Sequence, residues 1–406
     1  MISSILLALI ALLVAAKLGG ALAERLGQPA VLGELLAGIA MGALPIAGIH
    51  QLEFVAHDRT VEALAQLGVI LLLFEVGLST RLADLLDVGV SALLVAVVGV
   101  IAPGILGWLA GRWLLPGSHP FVAVFLGATL CATSVGITAR VLKDMNRVGT
   151  AEGQIILGAA VIDDVMGLLV LAVIVGMVGG GESTGAQIGL VTAKAVGFLA
   201  GALVLGRWLA PRLFRVASRL RGRGVVLTAA LVTCFALAWT AELAGLAAIV
   251  GAFAAGLVLE GVSFSELLPE GDSIEHLLLP LSAVLVPIFF VHMGLLVNLG
   301  ALAGGSIALA AALTVAAVVG KQACGLAVVT RGADRLAVGL GMIPRGEVGL
   351  IFAGIGAGLK IQGKPLLGPG EFAAVVAMVL LTTVLTPPLL RWRLGREPLT
   401  RGAVEV

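Results

Sequence analysis

Two carboxylates, Asp163 and Asp164, stand side by side in the stretch GAAVIDDVMGLLVL, residues 158–171. The run around them is apolar and of membrane-spanning length. An ionisable group near the middle of a bilayer costs about 2.5–3.5 kcal/mol on insertion scales. Two adjacent acids in one span therefore need a chemical reason, and an ion or proton site supplies one. The structural alternative is a kink or a buried salt bridge serving assembly.

Four more charged residues lie within apolar runs: Lys321, Arg345, Glu347 and Glu75. Lys321 is mid-span in AAVVGKQACGLA, where a lone buried amine is either neutral or paired. Adjacent residues on a helix point about 100° apart, so Asp163 and Asp164 cannot both face one partner. One can pair with Lys321 while the other faces a water-filled cavity. Arg345 and Glu347 flank Gly346 beside Pro344; they neutralise each other or cap a broken helix. Glu75, near the end of its span in LLLFEVGL, reads as structural.

Thr133 and Ser134, in CATSVGITAR (131–140), offer hydroxyl and backbone oxygens. Hard cations take oxygen ligands, so one carboxylate with a few neutral oxygens suits a monovalent metal ion such as Na⁺. Capping of a half-helix is the alternative use of these hydroxyls. His292 is the histidine closest to a span and reads as packed or interfacial. No CxxC, HExxH, P-loop or GxSxG pattern occurs, so the expectation is a protein that is not an enzyme and has no cofactor and no nucleic-acid partner.

These residues must be carried by membrane helices. The chain has 406 residues, 60% hydrophobic and 12% charged, with a mean hydropathy of +1.14. Glycine numbers 56 and Tyr is absent: helices can pack closely, while aromatic belts are thin. The three cysteines, Cys131, Cys234 and Cys324, lie in apolar runs without metal-ligand spacing. No positive charge precedes the first apolar run, so it reads as a spanning helix rather than a signal peptide.

Apolar runs between polar or Pro/Gly breaks predict thirteen helices, near 3–23, 30–46, 60–79, 86–113, 119–142, 150–178, 186–216, 224–243, 245–261, 276–297, 301–330, 333–358 and 371–394. An odd count puts the termini on opposite sides. With the N-terminus outside, eighteen Lys and Arg fall inside and five outside, as the positive-inside rule requires. Helices one to six and eight to thirteen then form two six-helix repeats, inverted in the membrane, with the seventh as connector. Inverted repeats set a substrate site where broken helices meet at the midplane. The equivalent fifth and twelfth helices both look broken: the fifth by its small and hydroxyl residues, the twelfth by GMIPRGEVGL (341–350). Non-helical backbone at that depth must line a cavity or be buried in protein.

Together, ATSVGITARVL, the Asp pair in GAAVIDDVMGL, the buried Lys321 and IPRGEVGLI resemble the bacterial monovalent cation:proton antiporter-2 family, most closely its electrogenic sodium/proton antiporters. The resemblance spans nearly the whole chain. It implies an all-α polytopic fold of thirteen helices, with a six-helix core and a scaffold that forms a homodimer. On this reading residues 1–85 and 223–298 are scaffold. Residues 86–180 and 299–395 are core, 181–222 the linker helix and 396–406 a short cytoplasmic tail. The resemblance makes Asp164 the cation- and proton-binding carboxylate and Asp163 the acid that pairs with Lys321. Thr133 and Ser134 match the first crossing helix and Glu347 the acid of the second, with Arg345 in support. The expected activity is exchange of Na⁺ or Li⁺ for H⁺ by alternating access in a bacterial inner membrane. Asp-Asp, where electroneutral relatives have Asn-Asp, favours electrogenic exchange. A K⁺/H⁺ antiporter or an organic-ion symporter on the same inverted repeats are the alternatives.

Overall fold

A computed structural model describes residues 2–48, 50–178, 224–260, 273–296, 307–361 and 364–395, with parts of 193–212. The seventh expected helix and the tail at 396–406 fall largely or wholly outside the described residues. Each of the other expected spans contains helix among the described residues.

The first three long elements are α1 (Ile2–Arg25), α2 (Ala30–Gly42) and α3 (Arg59–Leu78). Asp58 caps α3, its carboxylate accepting from the N–H groups of Thr60 at 2.8 Å and Val61 at 3.2 Å. A short α4 (Leu82–Asp87) leads into α5 (Gly89–Leu114), which carries Pro103 internally. The fifth expected span is split into α6 (Pro120–Thr129) and α7 (Val135–Asp144), followed by the long α8 (Ala151–Val178). Then come α9 (Val225–Leu243), α10 (Ala248–Glu260), α11 (Ile274–Leu295) and α12 (Ile307–Cys324). The twelfth expected span is split into α13 (Arg335–Gly341) and α14 (Glu347–Gly358), and α15 (Pro369–Leu394) closes the chain.

Seven helices among the described residues are long and apolar enough to cross a membrane; α1, with 24 residues, is about 36 Å long at 1.5 Å per residue. One departure from the all-α expectation is a two-stranded antiparallel ribbon between α14 and α15, pairing Lys360 with Pro365 and Ile361 with Lys364. A second departure is the early end of α2 at Gly42, where Pro45 sits in a 3₁₀ turn.

Glycines let some helices touch backbone to backbone, and these contacts fall into two groups. In the first, a Cβ on Gly38 of α2 would lie 2.1 Å from the Val291 carbonyl of α11, and one on Gly77 of α3 would lie 2.4 Å from the Phe253 carbonyl of α10. In the second, a Cβ on Gly127 of α6 would lie 2.4 Å from the Gly104 carbonyl of α5, and one on Gly320 of α12 would lie 2.5 Å from Cα of Pro103. Between the groups the glycine contacts are with side chains: Gly136 of α7 meets Val69 and Phe289, and Gly346 meets Met293 Cε.

Candidate functional site: a buried charge cluster where two broken helices cross

Helix α6 ends at Thr129 and α7 begins at Val135; α13 ends at Gly341 and α14 begins at Glu347. Each interruption leaves buried backbone groups without intrahelical partners, and each break supplies partners for the other. The N–H of Ser134 donates to the Pro344 carbonyl at 2.8 Å. Thr138 Oγ1 donates to the Gly341 carbonyl at 2.6 Å, and Thr133 Oγ1 to the Met342 carbonyl at 3.4 Å. Thr133, Ser134 and Thr138 are all buried.

Onto this crossing α12 brings Lys321 and α8 brings the two acids. Lys321 Nζ donates to Asp163 Oδ2 at 3.1 Å and to the Cys131 carbonyl, freed by the first break, at 2.9 Å. Both side chains are 0% exposed. Of the two pairings open to adjacent acids, this structure has Asp163 as the partner of Lys321. Asp164, rotated about 100° away on the helix, is buried but 7% exposed. One turn further along α8, Gly167 packs on Ala132 of the first break. Lys321 also lies against Gly99 of α5, where a Cβ would stand 3.1 Å from Nζ.

Arg345 is fully buried. Its Nη1 donates to Thr133 Oγ1 at 3.4 Å and to the Met342 carbonyl at 3.5 Å. Its Nε and Nη2 have no hydrogen-bond partner among the described residues. It lies within electrostatic reach of both Asp163 and Lys321. Two acids and two bases thus share one buried region and balance when all are ionised. Glu347 opens α14; its side chain lies outside those described. The geometry therefore brings Asp163, Lys321, Thr133, Ser134 and Arg345 together at the crossing, with Asp164 the next residue along α8.

Two features went unread in the sequence. Glu34 of α2 is a buried carboxylate, and its signal was available: an acid in the apolar run AVLGELLAGIAMG. Arg140 and Lys143, two of the charges counted on the inner side, make ion pairs. Arg140 reaches Asp144 at 3.0 Å and Glu34 at 3.9 Å. Lys143 pairs with Glu75, whose other oxygen accepts from Ser282 at 2.5 Å. His292 is buried within α11.

The description "Sodium/hydrogen exchanger, transmembrane" matches residues 8–392. The chain belongs to the sodium/hydrogen exchanger family. Exchangers of this family are membrane transporters, so the expectation of a transporter rather than an enzyme holds. The chain is 38% identical to the high-affinity Na⁺/H⁺ antiporter NhaS3 of Synechocystis, across 96% of this chain and 90% of that one. It is 37% identical to the Na⁺/H⁺-K⁺ antiporter GerN of Bacillus cereus, across 95% of each. The solved sodium proton antiporter MjNhaP1 of Methanocaldococcus jannaschii superposes with a TM-score of 0.66 at 19% identity, covering 97% of each chain. That likeness shows the exchanger's fold.

Proposed function

We propose that this exchanger moves Na⁺ or Li⁺ against H⁺ by alternating access and that its exchange is electrogenic. The observation that carries the reading is Asp164 next to an ion-paired Asp163–Lys321 at the crossing of two broken helices. Relatives named as Na⁺/H⁺ antiporters support the substrate pair. The name of GerN includes K⁺, which keeps K⁺/H⁺ exchange as the second reading.

In the proposed cycle Asp164 releases its proton and takes a dehydrated cation, helped by oxygens at Thr133 and Ser134. Thr133 must then yield its contact with Arg345, because the guanidinium and the cation repel. The cation's charge weakens the attraction between Asp163 and Lys321, and Lys321 can lose its proton as well. Two protons per cation follow if both groups cycle; the Asp163–Lys321 pair titrates as a unit. Glu347 supports the second crossing helix.

The two glycine-sealed groups of helices support a division into a scaffold (1–85 and 223–298) and a core (86–180 and 299–395). Backbone-to-backbone seams within each group, and side-chain contacts between them, suit two rigid bodies that move against each other. Thirteen spans in two inverted repeats, N-out and C-in, in a bacterial inner membrane and as a homodimer, complete the proposal.

The test uses liposomes with an internal pH dye, acidic inside, to which NaCl, LiCl or KCl is added. Na⁺- and Li⁺-driven alkalinisation, lost in Asp164→Asn, is expected. A K⁺ response moves the substrate to the second reading; no response to any cation across a broad pH range overturns antiport.

A further inference from the structure

We propose that Glu34 and Glu75 form, with Arg140 and Lys143, a two-ion-pair latch that positions α7 and is remade each time the core returns to this arrangement. Helix α7 has ten residues, about 15 Å at 1.5 Å each. Its first turn follows Ser134 at the crossing; its C-terminal half carries Arg140, Lys143 and Asp144, with Lys143 in the last turn. Two acids from two other helices face that half. Glu34 of α2 faces Arg140, with side chains 5% and 20% exposed. Glu75 of α3 pairs with Lys143, with side chains 2% and 32% exposed.

The asymmetry of burial is the argument. The acids are deep in the scaffold group, while the basic ends reach out from α7. A buried carboxylate that loses its counter-charge is left uncompensated, a strongly unfavourable state. Moving α7 away from α2 and α3 would strand two such carboxylates together, so both pairs favour the arrangement seen here. Glu34 Oε2 has no hydrogen-bond partner among the described residues; Arg140, 3.9 Å from Oε1 and itself held by Asp144 at 3.0 Å, is the ion-pair partner that faces it. Glu75 is better provided, since Ser282 also donates to it. Elsewhere α7 meets the scaffold group through apolar contact of Gly136 with Val69 and Phe289, which can slide. Because α7 is one short rigid helix, holding its far end fixes the register of Ser134 and its bond to Pro344.

The latch as a contact stands on geometry; its effect on transport rests on the antiport reading. The experiment therefore has two readouts. Ser79 and Gly149 line one cavity of about 350 Å³ beside Glu75 and Lys143, and a Cβ on Gly149 meets nothing within 4 Å. Ser79→Cys with Gly149→Cys is treated with a short bifunctional thiol reagent; the native cysteines are buried. Glu75→Lys and Lys143→Glu should each slow cross-linking about fivefold or more, and the swapped pair should return it to within about twofold of the parent. Exchange in liposomes should follow the same order, and cross-linking itself should stop exchange. Glu75→Gln, which removes the charge and leaves a hydrogen-bonding group for Ser282, gives the cross-linking readout where a swap fails to fold. Equal cross-linking rates in parent, singles and swap would overturn the latch. If cross-linking responds as expected while the parent exchanges no cation, the latch stands and the antiport reading falls.

Discussion

The backbone N–H of Ser134 and the carbonyl of Pro344 are hydrogen-bonded at 2.8 Å, so each helix break is completed by the other. With Thr138 bonded to Gly341 and Thr133 to Met342, three bonds bridge the crossing. A buried backbone group stripped of its partner costs about 1–3 kcal/mol. Sliding one broken helix past the other would strip several at once. These bonds tie the two breaks together, so in the proposed exchange access to Asp164 changes by that unit moving against its surroundings.

The closeness of the crossing depends on Gly346. A Cβ there would stand 2.5 Å from Ser134 Oγ and 2.8 Å from Met293 Cε. Gly346→Ala is expected to cost about 1–3 kcal/mol of stability, the usual range for overpacking, and to depress exchange by disturbing Ser134. Gly358→Ala, at a position with nothing within 4 Å, should leave melting temperature and exchange near the parent's. Thermal unfolding in detergent and flux in liposomes check both. Equal behaviour of the two variants would mean that the crossing is not tightly packed at Gly346.

Thr138→Val removes the hydroxyl that donates to the Gly341 carbonyl at 2.6 Å and keeps the side chain's shape. The expected loss is about 1 kcal/mol, the net worth of a typical hydrogen bond. It should appear as a lower melting temperature with cation selectivity unchanged, because Thr138 lies a turn beyond Ser134.

Asp163 and Lys321 are both 0% exposed, so removing one strands the other. Asp163→Asn should destabilise the protein by about 3–5 kcal/mol if Lys321 stays charged. Asp163→Asn combined with Lys321→Gln should be markedly milder than Asp163→Asn alone, since the double change removes both members of the ion pair. The readout is a double-mutant cycle on thermal stability. Additive effects would show that Lys321 is already neutral or paired with another group.

Much of this architecture is legible in hydropathy, because a bilayer demands long apolar runs and punishes every exception. The second break announces itself through Pro344 and its flanking glycines, and the first through small and hydroxyl residues, although its five-residue gap at 130–134 contains no Pro or Gly. What the sequence leaves open is rotation about helix axes. Asp163 and Asp164 are equivalent as letters, and the orientation of α8 against α12 decides which one meets Lys321. Arg140 and Lys143 look like ordinary inside charges because their partners, Glu34 and Glu75, are more than 60 residues away. Glu34 is visible as an acid in an apolar run, but the basic residue it faces, Arg140, lies 106 positions on in sequence. The Lys360–Pro365 ribbon has no pattern at all in two-residue strands.

Lys321 also governs the charge moved per cycle in the proposed exchange. If its proton leaves when the cation arrives, each turnover carries net charge and a membrane potential drives it. In Lys321→Gln the amine is gone, and Asp163 is left to take up a proton or to rely on Arg345, which lies within electrostatic reach. One proton would then exchange for one cation at Asp164. The variant is therefore expected to retain measurable Na⁺/H⁺ exchange whose rate no longer changes when a K⁺ diffusion potential is imposed with valinomycin, whereas the parent's rate should rise or fall with the sign of that potential. A parent insensitive to potential would remove Lys321 from the proton count. A Lys321→Gln variant that stays potential-sensitive would move the second proton to another group.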